Sequence, residues 1–153
     1  MVKDLPNVKT IIVDDFQYIM SYEFMTTTTT GFEKFNEIAQ NAFDVINTAK
    51  NLRDDLTVIF LSHTEESTDN FGQKSYKVKT IGKLLDEKIT IEGLFTVVLM
   101  AEQKEEGNEV VFNFRVKGTP RDTVKSPKGM FEEETIPNDL KLVLDKVEEY
   151  QKG

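Results

Sequence analysis

At 153 residues the chain has room for one domain with a real hydrophobic core, and 1–153 reads as a single unit. It has no cysteine, which excludes disulfides and thiolate metal sites, and no run near the roughly 18 apolar residues that a membrane helix needs. The net charge of −8 argues against a general binder of phosphate backbones but leaves room for a local basic patch. The opening Val2-Lys3-Asp4-Leu5-Pro6 is polar and unlike a secretory leader, so a soluble, intracellular protein is the expectation.

The first element, 8–15, contains Thr10-Ile11-Ile12-Val13-Asp14-Asp15. β-Branched apolar residues running into paired acids read as a strand buried on both faces of a parallel sheet. Ligands of open α/β sheets bind beyond the carboxyl ends of the strands, where Asp14 and Asp15 fall. Two adjacent carboxylates there need a cation, and a hydrated Mg²⁺ carrying nucleotide phosphates is the usual one, as in a Walker B strand. An ordinary strand ending in an Asp-Asp turn fits the same residues. Phe16 to Met25 is rich in aromatics and Met, suited to core packing, an oligomer contact or base stacking. The five threonines Thr26–Thr30 before Gly31 make 22–31 read as a mobile loop.

From Phe32 to Leu52, apolar residues at spacings of three and four (Phe32, Phe35, Ile38, Ala39, Ala42, Phe43, Ile46, Ala49, Leu52) predict a long crossover helix. Thr57-Val58-Ile59-Phe60-Leu61 is a second apolar strand, so 10–61 reads as one right-handed βαβ unit. It ends at Ser62-His63. His63, the only histidine, falls at the same sheet edge as Asp14 and Asp15 if the strands are parallel neighbours. A polar tip residue there can report a γ-phosphate through one hydrogen bond; it can equally be a strand end with no ligand. Alone it is no zinc site, which takes three or four ligands.

Residues 65–79 read as a polar surface loop with a short hairpin near Ser75–Val78, and Ile81–Ile89 as a short amphipathic helix. Leu94–Ala101 is a third apolar strand, and Glu109–Lys117 alternates with period two, making 94–117 an antiparallel hairpin. Lys117, Arg121, Lys125 and Lys128 form the basic patch of an acidic chain, and Pro127–Phe131 reads as extended. Leu140–Tyr150 is a final helix with Leu140, Val143, Leu144 and Val147 inward, capped by Pro137-Asn138-Asp139.

Three stretches carry a resemblance: Ile11-Ile12-Val13-Asp14-Asp15; Val58-Ile59-Phe60-Leu61-Ser62-His63; and Lys117-Gly118-Thr119-Pro120-Arg121 with Lys125-Ser126-Pro127-Lys128-Gly129-Met130-Phe131. In order and spacing they resemble the phage RecA-like AAA-family ATPases, the single-strand annealing recombinases and their relatives. The resemblance implies a partial RecA-like P-loop NTPase core: an α/β fold, mainly parallel, with an antiparallel C-terminal hairpin and flanking helices. It implies Mg-ATP as ancestral cofactor, held by Asp14 and Asp15, with Asp15 polarising water and His63 sensing the γ-phosphate. Lys117 or Arg121 would be a finger on a neighbouring subunit's nucleotide. It also implies single-stranded DNA as a partner, and a cytoplasmic setting in a phage-infected or prophage-carrying bacterial cell.

One part is missing. No Gly-x-x-x-x-Gly-Lys-Ser/Thr occurs, so the chain has no loop to cradle phosphates. Phosphate clamping supplies most of the affinity and catalysis in such enzymes, so this chain alone is expected to bind ATP poorly and hydrolyse it negligibly. In RecA-like sheets the missing strand lies between those expected at 57–61 and 94–101. Either these two pair directly, or a second copy or another protein fills the gap. The functional expectation is a portion of a RecA-like recombination or replication ATPase without Walker A. The alternative is a non-enzymatic phage protein that reuses the half-fold, for example to inhibit a host defence system.

Overall fold

The computed structural model describes residues 5–82 and 84–153, the side chains of 86 and 87 excepted; Val2-Lys3-Asp4 of the polar opening lies outside them. The chain is mixed α/β and divides into two compact units. One holds the chain up to Glu65 together with Val78–Leu94, and the other holds Glu66–Lys77 and Phe95–Gly153.

In the first unit, β1 (Thr10–Val13) and β2 (Thr57–Phe60) pair in parallel, Thr10 beside Thr57 through Val13 beside Phe60. Two helices connect them, α1 (Phe16–Thr26) and α2 (Glu33–Lys50), which pack on each other. The parallel crossover follows the sequence expectation, but it carries two helices instead of one. Residues 22–26, expected in a loop, extend α1. The helix stops where the threonines begin: Thr26 turns its hydroxyl back onto the Tyr22 carbonyl at 2.9 Å, and Thr27 is extended with ψ 142°. α2 buries Ile38, Ala39, Ala42 and Ile46 as one stripe, while Phe32, expected in that stripe, precedes the helix and is exposed. Phe16 and Phe60 meet edge to face with centroids 5.2 Å apart, tying α1 to β2.

The sheet corrects a second expectation. Burial on both faces needs neighbouring strands on both edges and helices on both faces. Among the described residues β1 and β2 pair only with each other, and Ile12 is 52% exposed. Among the described residues the strand partner of β2 is β1, and the expected pairing of 57–61 with 94–101 is not among the ladders. The helix expected over 81–89 is a single π-helical turn, Leu84–Ile89, followed by a 3₁₀ turn, Ile91–Leu94. Leu85 and Ile91 are buried.

The second unit contains most of a hairpin formed by β3 (Thr64–Thr68) and β4 (Lys74–Val78), where a loop was expected over much of 65–79. Its turn is built by Asp69, whose carboxylate accepts the Phe71 and Gln73 N–H groups, both at 2.8 Å. The main sheet is antiparallel, in the order β5 (Met100–Glu106), β6 (Glu109–Arg115), β7 (Thr135–Pro137). The Gly107-Asn108 turn fixes its register, with Glu106 opposite Glu109, Gly107 supplying φ +67°. The strand therefore lies later than the apolar run 94–101. Val97 and Leu99 of that run fill the core without a ladder, and Val98 alone bridges Lys125. β5 is an edge strand of mixed charge, Glu102, Lys104, Glu105 and Glu106, which discourages edge-to-edge pairing.

That core holds Val116, Met130, Phe131, Ile136 and Val143. α3 (Leu140–Lys152) covers it, and Asp139 caps the helix by accepting the N–H groups of Lys141 at 2.8 Å and Leu142 at 3.3 Å. Pro127–Phe131, expected extended, is a turn: the Met130 N–H reaches the Pro127 carbonyl at 3.1 Å and Gly129 sits at φ +89°. Gly118 permits a close approach, since a Cβ there would lie 2.1 Å from the Val124 carbonyl oxygen. No helix among the described residues is long and apolar enough to cross a membrane.

Candidate functional site

The carboxyl edge of β1 and β2 brings together three of the residues singled out in the sequence. The chain leaves β1 through Asp14 and Asp15, and Asp15 adopts the left-handed region, φ 50° and ψ 45°. Asp tolerates this at lower cost than most residues, because its short carboxylate bonds locally. The twist brings the Phe16 N–H onto the Leu61 carbonyl at 2.9 Å, just beyond the Leu61 N–H bond to Val13, also 2.9 Å. The two strand ends are thereby locked side by side.

Gln17 completes the lock. It is 4% exposed, on the inner face of α1 with Phe16 and Met20. Its carbonyl accepts the Ser62 hydroxyl at 2.9 Å and the His63 backbone N–H at 3.1 Å, while its amide donates to Asp15 Oδ1 at 3.2 Å. His63 Nε2 lies 3.2 Å from the same Asp15 oxygen, and the Tyr18 ring stands edge-on to the imidazole at 6.1 Å. The Lys79 N–H holds the His63 carbonyl at 2.9 Å. Both side chains of the pair are open, 62% for His63 and 51% for Asp15, so water screens the pairing. Ser62 is turned to Gln17, so its hydroxyl is not paired with His63 as a base-activated nucleophile would be.

The sequence singled out Asp15 and His63 but not Gln17, which lies between them. The available signal was a polar residue between Phe16 and Met20, on a face that otherwise had to be apolar. Asp14 is exposed in the turn. The fit to Mg²⁺ is poor. Asp15 Oδ1 already accepts from the Gln17 amide and lies against His63 Nε2, and no group of three or more His, Asp or Glu that could hold a metal forms among the described residues. Mg²⁺ at one or two carboxylates relies on substrate phosphates for its remaining anionic ligands, and the sequence has no P-loop motif to hold them.

Lys117 and Arg121 belong to the second unit. The Lys117 ammonium donates to the Glu132 carbonyl at 2.6 Å. The Arg121 backbone is held on both sides: its N–H by the Thr119 hydroxyl at 3.2 Å and its carbonyl by the Tyr76 N–H at 2.8 Å. Arg121 lines an open hollow of about 350 Å³ with Lys74, Tyr76, Arg115, Thr119 and Asp122. Lys125 is tied by its backbone to Val98, and Lys128 is exposed in the 127–130 turn.

Beneath this loop lies a network that the sequence did not announce. Arg115 donates to Glu102 Oε1 at 2.7 Å and to Asp122 Oδ2 at 2.5 Å, and the Asp122 side chain is 2% exposed. Asp122 also accepts the Thr119 hydroxyl and the Thr119 and Val124 N–H groups. Burial pushes the Asp122 carboxyl up, but these donors outweigh it and hold it below the usual carboxylate range. Burial likewise opposes the Arg115 charge, and its two carboxylate partners outweigh that and raise it. Lys74 and Tyr76 both donate to Glu66, at 2.9 Å each, which lowers the Glu66 carboxyl. These pairs shape the loop that presents Arg121.

No family model, curated protein or solved structure gives a significant match to this chain.

Proposed function

We propose that residues 10–63 carry the strand pair of a RecA-like nucleotide site, with Asp14, Asp15 and His63 at its rim, and that this chain does not hydrolyse ATP by itself. One observation carries the reading: β1 and β2 pair in parallel, and Asp15 Oδ1 and His63 Nε2 meet at 3.2 Å at their carboxyl ends. That is the juxtaposition the resemblance implies for the acidic strand and the phosphate-sensing strand. The ancestral task on this reading is ATP-dependent DNA recombination or replication, with Lys117 and Arg121 as candidate anion contacts.

The silence follows from chemistry. A carboxylate pair and one imidazole on an open edge neither fix a triphosphate nor exclude water, and positioning supplies most of phosphoryl-transfer catalysis. The test is ATP turnover by the purified chain with Mg²⁺, beside Asp15→Asn and His63→Ala. The expected result is turnover at background in all three. Turnover above background that Asp15→Asn removes would overturn it.

A second reading, a protein that acts by contact, is favoured by a separate observation: Tyr18, Tyr22, Met25 and Phe32 are all strongly exposed within 15 residues.

A further inference from the structure

α1 carries large apolar residues on both its inner and its outer face. Its inner face buries Phe16, Gln17 and Met20, yet its outer face presents Tyr18, Tyr22 and Met25 at spacings of four and three, with Ile19 alongside. The exposures are 58% for Tyr18, 74% for Tyr22, 78% for Met25 and 39% for Ile19. Large apolar residues gathered on the exposed face of a helix mark a surface suited to a partner. Its single charged residue, Glu23, is turned to α2, where the Asn41 amide donates to it at 2.5 Å. The stripe is therefore an uncharged ridge on a chain of net charge −8.

We propose that a second copy of this chain covers the ridge, with α1 packing antiparallel against the partner's α1 about a two-fold axis at Tyr22. Two features select this occupant and this direction. In the antiparallel arrangement Tyr18 meets the partner's Met25, a sulfur–aromatic contact, and Tyr22 meets the partner's Tyr22. The acids Asp14 and Asp15, just before the helix, then face the partner's uncharged Thr26–Thr30 run; a parallel pairing would set them against their own copies. The area suits a reversible dimer. With side chains of roughly 200 Å², covering the ridge removes on the order of 500 Å² per protomer and on the order of 1,000 Å² in all, at the lower bound for a specific interface.

The experiment is sedimentation of the chain from low micromolar to several hundred micromolar, beside Tyr22→Lys and, as a control on the second unit's exposed sheet face, Phe112→Lys. The apparent mass rises with concentration from one chain towards two for the wild type and for Phe112→Lys. Tyr22→Lys stays at one chain throughout, with an unchanged far-ultraviolet circular dichroism spectrum. Because the chain has no cysteine, a second measurement reads the register: oxidised Tyr22→Cys cross-links to a dimer several-fold faster than Met25→Cys. A wild type that stays monomeric at the highest concentration overturns the proposal. So does a Tyr22→Lys variant that associates like the wild type, or Met25→Cys cross-linking faster than Tyr22→Cys.

Discussion

The Asp15–His63 contact of the first unit and the Asp122–Arg115 contact of the second differ in nearly every physical respect. In the first unit Asp15 meets His63 at 3.2 Å with both side chains more than half exposed. In the second, Asp122 meets Arg115 at 2.5 Å with the acid 2% and the base 16% exposed. The open pair is screened by water and adds little to folding, so its groups stay accessible to a ligand. The closed pair is largely desolvated, and each buried charge is compensated by the other. A contact's shielding from water, more than its residue types, separates a site from a structural clasp.

Breaking the closed pair has the largest expected effect. Asp122→Ala leaves Arg115 buried beside Glu102 alone and removes the acceptor for Thr119 and Val124; the loss is about 3 kcal/mol or more, read as the drop in urea midpoint. The same clasp sets an acid response. Asp122 is held below its usual range in the folded state, so its contribution is complete above the unfolded carboxylate value, about 4. It is lost as pH falls through the lower folded value. Stability of the wild type therefore falls more steeply below about pH 4 than that of Asp122→Asn, measured by urea unfolding across that range.

Gln17→Ala sharpens the comparison from the other side. It strips the Ser62 hydroxyl and the His63 N–H of their acceptor inside a folded edge, at a cost of about 1–2 kcal/mol. It also frees His63 from Asp15, read as greater backbone mobility at 62–63 by NMR relaxation. His63→Ala has the smallest effect, below about 1 kcal/mol. If it destabilises as much as Asp122→Ala, the division into open site and closed clasp fails.

What was legible in the sequence had a period or a neighbour to announce it. The α2 stripe, the paired strands β1 and β2 and the Asp139 cap each rest on local pattern. α1 was missed as a helix because its apolar residues fall on both its inner and its outer face and show little 3.6-residue alternation. The Leu94–Leu99 run was misread as strand because core filling and strand formation draw on the same residues, and only the register set at Gly107 separates them. The Asp15–His63 contact followed from parallel pairing alone. Gln17 and the Arg115–Asp122–Glu102 clasp join residues distant in sequence, or sit on a face read as core, and no spacing rule points to them.

On the proposed reading, the β1–β2 carboxyl edge meets nucleotide without a cradle to hold it. A backbone NMR titration of the ¹⁵N-labelled chain with ATP, with and without Mg²⁺, tests it most directly. The expected result is shift changes confined to Asp14–Gln17 and Ser62–His63, unsaturated in the millimolar range and lost in Asp15→Asn. Shifts absent from those residues while ATP perturbs others, or saturation at micromolar ATP, would contradict it.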